Sequence, residues 1–322
     1  MTIVFLLGVA ASAAVGAAIT AIGTARIEAA HPASGRLIEV TGGRLHVLEL
    51  GAASVLDRWP VVLVHGASGN LEDMHLTLGS RLAANRRVTL VDRPGHGWSD
   101  RPGGAADASP ARQAALIAQA LDRIGLKRFI LLGHSLGGAV ATAFALAHPD
   151  RLAGLVLVAP VTHPWPGGLA WYNAVLSTPI VGPLFADTMA LPFGTWLIEG
   201  GAKSVFAPQP VPRDYVRRAA IRLLLRPSES IANAQDVAAL KSFVAAQVPR
   251  YHEIATPTVI LAGTADDTVS SQMHAHALAA ILPNARLVVL DGAGHMPHHT
   301  HTDAVVAAID SLPAPLASDA TR

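Results

Sequence analysis

The sequence predicts an α/β fold with a mostly parallel, doubly wound sheet, and two observations carry that prediction. First, short apolar runs bounded by turn residues recur along the chain, as expected of strands buried on both faces of a parallel sheet. Second, helical patterns lie between the runs, including residues 109–124 and 136–147. The runs cover residues 60–64, 87–91, 129–132, 154–158, 258–261 and 286–290.

The composition narrows the class of protein before any motif is considered. The 322 residues are 51% hydrophobic and 15% charged, which provides a large buried core and excludes an intrinsically disordered chain. A formal net charge of +1 gives no strong field for a polyphosphate backbone, so we expect no nucleic-acid partner. The chain has no cysteine, which removes disulfides, thiolate metal sites and a cysteine nucleophile.

Residues 1–25 form a hydrophobic segment without a charged side chain. At about 1.5 Å per residue, some twenty apolar residues cross a hydrocarbon core of roughly 30 Å, so the segment is long enough for a membrane anchor. A signal peptide and a soluble N-terminal helix are the alternatives. We therefore expect a protein that is membrane-anchored or exported to the periplasm or extracellular space, with a cytoplasmic protein as the alternative.

The predicted core begins with a hairpin and is interrupted once. Residues 37–41 and 44–50 alternate around Gly42 and Gly43, which predicts two paired strands. The strand rhythm stops over residues 161–249, where Gly and Pro are dense. Beyond the N-terminal segment we predict three parts: an α/β core over residues 35–160 and 250–312, an insertion over 161–249, which we call the cap, and a flexible tail over 313–322.

The predicted cap is rich in aromatic side chains, which suit a lid over an apolar substrate cavity or the cap's own small core. Nearly half of the chain's 15 aromatic residues lie within its residues 165–206: Trp165, Trp171, Tyr172, Phe185, Phe193, Trp196 and Phe206. Further along, Arg218, Arg222 and Arg226 recur every four residues. This spacing predicts a solvated helix face, with attraction to anionic lipid heads as the alternative.

The strongest functional signal is Gly133-His134-Ser135-Leu136-Gly137, which follows an apolar run and precedes a helical pattern. In this context the G-x-S-x-G pattern is typical of a strained strand-to-helix turn that presents a nucleophile, here Ser135. Small residues at Gly133 and Gly137 let the backbone pass close by. The amides at the start of the following helix favour negative charge beside the serine.

A serine hydroxyl needs a base to take its proton and an acid to orient that base. We predict His295 as the base, because it follows the last apolar run at the carboxyl end of the sheet. Asp266 is the predicted acid and Asp267 the alternative, since both follow the preceding run. The order Ser, Asp, His along the chain fits this sheet topology.

The reaction also needs amide donors aimed at the developing oxyanion. We predict the N–H of Leu136, next to the nucleophile, and the N–H of Ala67, in the bend of small residues after residues 60–64.

Three further histidines, His298, His299 and His301, follow the predicted base closely. Because no carboxylate or thiol accompanies them at ligand spacing, we interpret them as exposed loop residues and expect no metal. We expect no nucleotide or redox cofactor either.

The motifs together resemble the α/β-hydrolase superfamily over residues 35–312. They are His65-Gly66, residues 92–99 (DRPGHGWS), Gly133 to Gly137, residues 263–269 and Gly294-His295. The resemblance implies an eight-stranded, mostly parallel sheet with a helical cap, and triad roles for Ser135, Asp266 and His295. Ser135 argues against the haloalkane dehalogenase and epoxide hydrolase branches, in which the nucleophile is Asp. The acid motif departs from many relatives, because Ser270 stands where they have Pro.

Three functions are weighed. We expect a serine hydrolase that cleaves carboxylic esters of apolar substrates through an acyl-enzyme, with a small apolar ester and a membrane as its partners. One alternative is a carbon–carbon bond hydrolase of a dicarbonyl ring-cleavage product, which would need cationic or polar groups in the cap to hold a carboxylated substrate. The other is a catalytically silent, membrane-tethered interaction protein.

Overall fold

The computed structural model describes residues 2–51 and 58–315. Its strands are β1 (Arg36–Val40), β2 (Gly43–Leu50), β3 (Val61–Val64), β4 (Val88–Val91), β5 (Phe129–His134), β6 (Leu152–Val158), β7 (Thr258–Gly263) and β8 (Ala285–Leu290). They form one sheet in the order β1-β2-β4-β3-β5-β6-β7-β8. β2 runs antiparallel to both of its neighbours, and all other pairs are parallel. The predicted eight-stranded, mostly parallel sheet is confirmed, including its hairpin.

The α-helices are α1 (Thr2–Ala30), α2 (Leu71–Met74), α3 (Ser80–Leu82), α4 (Pro110–Arg123), α5 (Leu136–Ala147), α6 (Trp171–Leu176), α7 (Val181–Phe185), α8 (Leu191–Phe206), α9 (Tyr215–Arg218), α10 (Pro227–Gln247), α11 (Ala277–Ile281), α12 (Pro297–Thr300) and α13 (Thr302–Asp310). Short π and 3-10 turns extend several of them. The turns are His75–Gly79, Gly104–Ala108, Pro149–Arg151, Ala186–Ala190, Ile221–Leu225, Val248–Glu253 and Gln272–His276.

Helices cover both faces of the sheet, so the strands between them are apolar on both sides. Helices α4, α5 and α11 share one buried cluster with Val62 and Val64 of β3. Helices α2, α3 and α13 share the other with Val61 and Leu63 of the same strand. Alternate residues of one strand thus enter opposite layers, which explains the continuous apolar runs in the sequence.

Helices α6 to α10 follow β6 and precede β7, where the cap is predicted. The two interpretations of its aromatic residues both apply, to different rings. Phe206 is buried in a cap cluster with Tyr215 and Leu225, whereas Tyr172 and Phe193 line a cavity. The cap boundaries at residues 161 and 249 stay a prediction.

Helix α1 packs along the cap and is long and apolar enough to cross a membrane by length and composition. Its close contacts involve glycines: a Cβ on Gly16 would lie 2.5 Å from the carbonyl oxygen of Thr188, and one on Gly23 would lie 2.8 Å from Leu191. Thr20, one turn after Gly16, is buried. The helix therefore has a fixed position against the cap.

The prediction of one solvated arginine face is wrong for Arg226. Helix α9 ends at Arg218, and a separate 3-10 turn precedes Arg226. The buried Arg226 guanidinium lies 3.3 Å from Glu28 of α1 and 2.7 Å from Glu229. These two carboxylates supply the counter-charge that burial of an arginine requires.

At the other end of the chain, the carbonyl oxygen of Pro313 accepts a hydrogen bond from Trp59 Nε1. The remainder of the predicted flexible tail, residues 316–322, lies outside the described residues.

Candidate active site

Ser135 stands where β5 ends and α5 begins, in a backbone conformation that non-glycine residues rarely adopt. Its φ is +52° and its ψ is −119°. Glycines on both sides allow this turn: a Cβ on Gly137 would lie 2.5 Å from the carbonyl oxygen of Val64, and one on Gly133 would collide with the backbone of Gly137. The sharp turn lifts the hydroxyl away from the sheet at the start of a helix, as the G-x-S-x-G pattern predicts.

Three distant segments bring a hydroxyl, an imidazole and a carboxylate together. His295 Nε2 lies 3.0 Å from Ser135 Oγ, and His295 Nδ1 lies 2.8 Å from Asp266 Oδ2. Because the Asp266 carboxylate accepts from Nδ1–H, the unprotonated Nε2 faces the serine. This is the arrangement needed to take a proton from a hydroxyl.

The surroundings of the two candidate acids differ. Asp266 Oδ1 accepts hydrogen bonds from the N–H groups of Thr268 and Val269 at 2.9 and 2.8 Å, which fixes the carboxylate while its other oxygen meets His295. Asp267 is exposed. The structure therefore brings Asp266, and not Asp267, to the imidazole.

The loop after β3 lies against the serine. A Cβ on Gly66 would lie 3.0 Å from the Cβ of Ser135, so a glycine lets this backbone approach. Ala67 lines the cavity beside Ser135, while the next amide, of Ser68, donates to Asn233 Oδ1 at 2.7 Å. Leu136 is the first residue of α5, where amides have no partner within the helix. Ala67 and Leu136 remain the predicted oxyanion donors.

Two imidazoles expected on an exposed loop are instead turned inward to a carboxylate. His298 Nε2 and His299 Nε2 donate to Asp73 at 3.1 and 2.7 Å, and the Tyr215 hydroxyl donates to it at 2.8 Å. Burial alone would raise the pKa of Asp73, but the two imidazoles hold it well below its usual range. Burial lowers the pKa of His298 to about 4.

The sequence reasoning missed Asp73, because it lies more than two hundred residues before the histidines. The ligand atoms of Asp73, His298 and His299 lie within 4.8 Å of one another, so this donor set could hold a metal ion. In this structure both carboxylate oxygens of Asp73 accept hydrogen bonds, from His298, His299 and Tyr215. The group forms part of the wall behind His134, whose ring lies 4.3 Å from that of His298.

His134 fixes the loop that carries His295. Its Nε2–H donates to the carbonyl oxygen of His295 at 2.9 Å. Burial, with His298 and His295 nearby, lowers the pKa of His134 well below its usual value, so the ring stays neutral. The residue before the serine thus acts on His295 through its backbone.

Residues 92–99 form a buried polar joint between the core and the cap. Arg93 is fully buried, and its guanidinium lies 2.6 Å from Asp236 of α10. His96 and Arg101 also bond Asp236, at 3.0 and 2.8 Å. Burial would raise the pKa of Asp236, but these partners hold it well below its usual range.

A cavity of about 640 Å³ lies between the core and the cap, with Ser135 and His295 in its wall. Most of its other walls are apolar cap residues, including Leu176, Phe193, Leu197, Ile198 and Leu225. No Arg or Lys of the described ranges lines it. The Ser135 hydroxyl and the His295 imidazole therefore face a cavity with mostly apolar walls.

A family model described as alpha/beta hydrolase fold matches residues 60–302. Among curated proteins, the 1-acylglycerol-3-phosphate O-acyltransferase ABHD5 of Sus scrofa is 34% identical over 170 residues, 49% of this chain and 48% of that protein. The (lyso)-N-acylphosphatidylethanolamine lipase of Homo sapiens is 35% identical over 156 residues, 44% of this chain and 45% of that protein. These matches span about half the length of each relative.

Solved structures share the fold over longer stretches. The enol-lactonase from Burkholderia xenovorans has a TM-score of 0.70 and 21% identity over 85% of this chain and 98% of that one. A meta-cleavage product hydrolase from Pseudomonas fluorescens has a TM-score of 0.67 and 19% identity over 86% of this chain and 96% of that one. A bacterial membrane phospholipase A has a TM-score of 0.63 and 23% identity over 96% of this chain and 98% of that one.

Proposed function

The chain belongs to the alpha/beta hydrolase fold family, and from that premise we propose that it is a serine hydrolase that cleaves carboxylic esters of apolar substrates through an acyl-enzyme. The observation that carries the proposal is the continuous relay from Ser135 through His295 to Asp266, with distances of 3.0 and 2.8 Å, at the floor of an apolar cavity.

In the first half of the proposed reaction, Ser135 Oγ attacks the ester carbonyl and His295 Nε2 takes its proton. Asp266 keeps Nδ1 protonated and stabilises the imidazolium that forms. The carbonyl oxygen, now an oxyanion, accepts from the N–H groups of Ala67 and Leu136, and the start of α5 adds a favourable dipole.

In the second half, the imidazolium gives its proton to the departing alcohol and an acyl-enzyme remains on Ser135. Water then enters, loses a proton to His295 and attacks the acyl carbonyl. Collapse of this intermediate releases the carboxylic acid, and the proton returns to Ser135 Oγ.

The cavity favours esters over the carbon–carbon alternative. A dicarbonyl ring-cleavage product carries a carboxylate. Polar cap groups such as Asn173 and Ser204 line the cavity, but burying a full negative charge without a cationic partner is costly. No Arg or Lys among the described residues lines the cavity, and Asp73 in its wall would repel such a substrate. A silent interaction protein is disfavoured by the assembled relay, because a site without catalysis needs no such geometry.

Helix α1 serves as a membrane anchor in this proposal. The likeness to the membrane phospholipase A covers 96% of the chain, which leaves about 13 residues uncovered, fewer than the 29 residues of α1. The shared architecture therefore includes part of this helix, whereas the lactonase and the meta-cleavage hydrolase cover 85% and 86%. Fractionation of cells that express the full chain tests this: recovery in the soluble fraction would contradict an anchor.

A fluorophosphonate probe tests the nucleophile directly. We expect covalent labelling of the full chain and none of Ser135→Ala, which should fold normally because Ser135 is replaced by a smaller residue. A folded wild-type protein that takes no label would contradict the proposal.

Hydrolysis of p-nitrophenyl esters of increasing acyl length tests the apolar cavity. We expect kcat/KM to rise by about three- to four-fold per added methylene until the cavity is filled, since each buried CH2 contributes about 0.8 kcal/mol. Equal rates at every length would count against an acyl chain in this cavity.

A further inference from the structure

The outer surface of the cap carries large apolar side chains that face solvent. Ile180 is 83% exposed and Trp196 is 78% exposed, and four others accompany them. We call this set the apolar cap face: Trp171, Ile180, Val181, Leu184, Met189 and Trp196. Between Arg151 and Glu199 the only Asp, Glu, Lys or Arg is Asp187. Contiguous apolar surface of this kind marks an interaction site on a soluble domain.

The apolar cap face is fixed to the candidate membrane helix. Gly16 of α1 lies against the backbone of Thr188, in the turn that connects α7 to α8, and Gly23 lies against the side chain of Leu191, the first residue of α8. Such close backbone contact leaves little room for relative movement. Wherever the uncharged half of α1 lies, the α7–α8 region must lie beside it.

Along the axis of α1, charged residues begin at the same level on the helix and on the neighbouring cap surface. Glu28 of α1 pairs with Arg226, and beyond it His31 lies near the exposed Arg217 and Arg222. Glu28 is twelve residues after Gly16, hence about 18 Å further along the helix axis. Arg26 is the first charged side chain, so a span of about twenty residues ends near it and includes the level of Gly16 and Thr188.

The mouth of the cavity opens within this face. Tyr172, Phe193 and Leu197 line the cavity and are themselves exposed. Ring contacts continue outward from them, since Phe193 lies 6.0 Å from Trp171 and 6.3 Å from Trp196 between centroids. An apolar path thus runs from the exposed rings to Ser135.

We propose that the apolar cap face docks into the lipid leaflet that holds α1, with Trp196 and Ile180 in the acyl-chain boundary and the cavity mouth open to lipid. Tryptophan is suited to this boundary because its ring is apolar and its indole N–H can meet the headgroups. The docking does not depend on catalysis. Its consequence for substrate, entry of the ester sideways from the bilayer, rests on the proposed function.

Quenching of tryptophan fluorescence by brominated acyl chains tests the docking without any reaction. The full chain is reconstituted into phosphatidylcholine vesicles with and without bromine on the acyl chains. The contribution of Trp196 is the difference between wild type and Trp196→Phe. The control is Trp59→Phe, because Trp59 lies before the amino end of β3, whereas the cap follows the carboxyl end of the parallel strand β6. We expect several-fold stronger quenching of Trp196 than of Trp59.

Two results would overturn the docking proposal. The first is equal quenching of Trp196 and Trp59. The second is protection of Trp196 that depends on protein concentration, together with crosslinking between chains through residue 180, which would make the face a contact between two copies. A failure of the fluorophosphonate labelling leaves the quenching experiment valid, so the two proposals fail separately.

Sideways entry is tested by comparing soluble and vesicle-embedded esters. The double variant Ile180→Ser, Leu184→Ser removes apolar area from the face but changes no residue of the cavity wall. We expect at least about ten-fold lower activity on a vesicle-embedded ester and unchanged activity on a short soluble ester. The control is Leu37→Ser, Val289→Ser, on the two outer strands of the sheet, with both activities unchanged. Equal losses on both esters in the face variant would contradict this route.

Discussion

The α/β core and the cap use apolar side chains in opposite ways. In the core, every residue of β3, β5 and β6 is buried, and helices close both faces of the sheet. Of the large apolar side chains that are exposed in the described ranges, ten lie in the predicted cap and two, Leu37 and Val289, lie in the core. The core is thus closed to its surroundings, whereas the cap is apolar towards both its cavity and its outer surface.

The two regions are joined by polar contacts as well as by apolar packing, in which Leu240 and Val244 of α10 belong to a core cluster. Arg93 and Asp236 pair across the joint, Asn70 donates to cap carbonyl groups, and Tyr215 donates to Asp73. The comparison teaches that directional bonds add a specific position to this packing. The apolar surfaces of the cap that the joint leaves uncovered are those of the proposed substrate and lipid contacts.

The largest expected effect is that of a change at Asp266, which tests whether the catalytic groups all lie in the α/β core. Asp266→Asn should lower kcat by about 10³- to 10⁴-fold, because an amide beside Nδ1 favours the wrong imidazole tautomer. The exposed Asp267→Asn is the matched control and should change kcat by less than about three-fold. Steady-state hydrolysis of a soluble p-nitrophenyl ester measures both. The reverse ranking would make Asp267 the acid.

The next effect tests the joint between the two regions. Asp236→Asn leaves Arg93 fully buried without its carboxylate, so the free energy of unfolding should fall by about 3–5 kcal/mol. Asp303→Asn is the control, since the pair of Asp303 with Arg81 is exposed and such pairs contribute about 0–1 kcal/mol. Urea unfolding of the full chain in detergent measures both. Equal losses would mean that the joint does not depend on this pair.

Strand patterns and motifs predicted much of the core because their signals are local. The apolar runs reflect helices on both faces of the sheet, and the G-x-S-x-G turn needs its glycines at fixed positions. Contacts between residues far apart in the chain can also be predicted where the sheet topology brings them together. Asp266 and His295 follow the neighbouring parallel strands β7 and β8, whose carboxyl ends lie side by side.

Contacts set by the cap could not be predicted in this way. The cap has no repeating pattern, so nothing indicated that Arg226 would be buried between Glu28 and Glu229. In the same way, the burial of His298 and His299 depends on Asp73, which lies in α2, more than two hundred residues earlier in the chain. Such pairings follow from tertiary packing alone.

A smaller effect, dependent on pH, tests the point where the chain enters the cap. His274 Nδ1 accepts from the N–H groups of Thr162 and His163 at 3.2 and 3.1 Å, and a proton on Nδ1 would remove both bonds. Burial lowers the pKa of His274 to about 4. Between pH 6.5 and 4 the His274 imidazole is therefore protonated in the unfolded state and neutral in the folded state. The free energy of unfolding accordingly rises with pH and is lost as pH falls through this window.

We expect His274→Asn to flatten this dependence, because an amide oxygen can accept the same bonds but does not titrate in this range. The free energy of unfolding should fall between pH 7.5 and 5 by about 1–2 kcal/mol less in the variant than in the wild type. Urea titrations at the two pH values measure the difference. If the pH dependence of the free energy of unfolding is the same in the variant and the wild type, protonation of His274 does not destabilise the folded protein.

An effect of similar size concerns Asn70, whose side chain bonds residues of both regions. Asn70 Oδ1 accepts from Glu72 N–H at the start of α2, and its Nδ2 donates to the carbonyl groups of Ala219 and Ala220 in the cap. Asn70→Ala should cost about 1–2 kcal/mol in the free energy of unfolding, as loss of a helix cap does, with an added share from the cap carbonyl groups. Asn284→Ala is the control, since the exposed Asn284 side chain donates to the carbonyl oxygen of Ala255, also in the core. If Asn70→Ala also raises KM for a long-chain ester while Asn284→Ala does not, the polar joint sets the shape of the apolar cavity. If both variants lose stability equally and leave KM unchanged, the cap keeps its position without this bond.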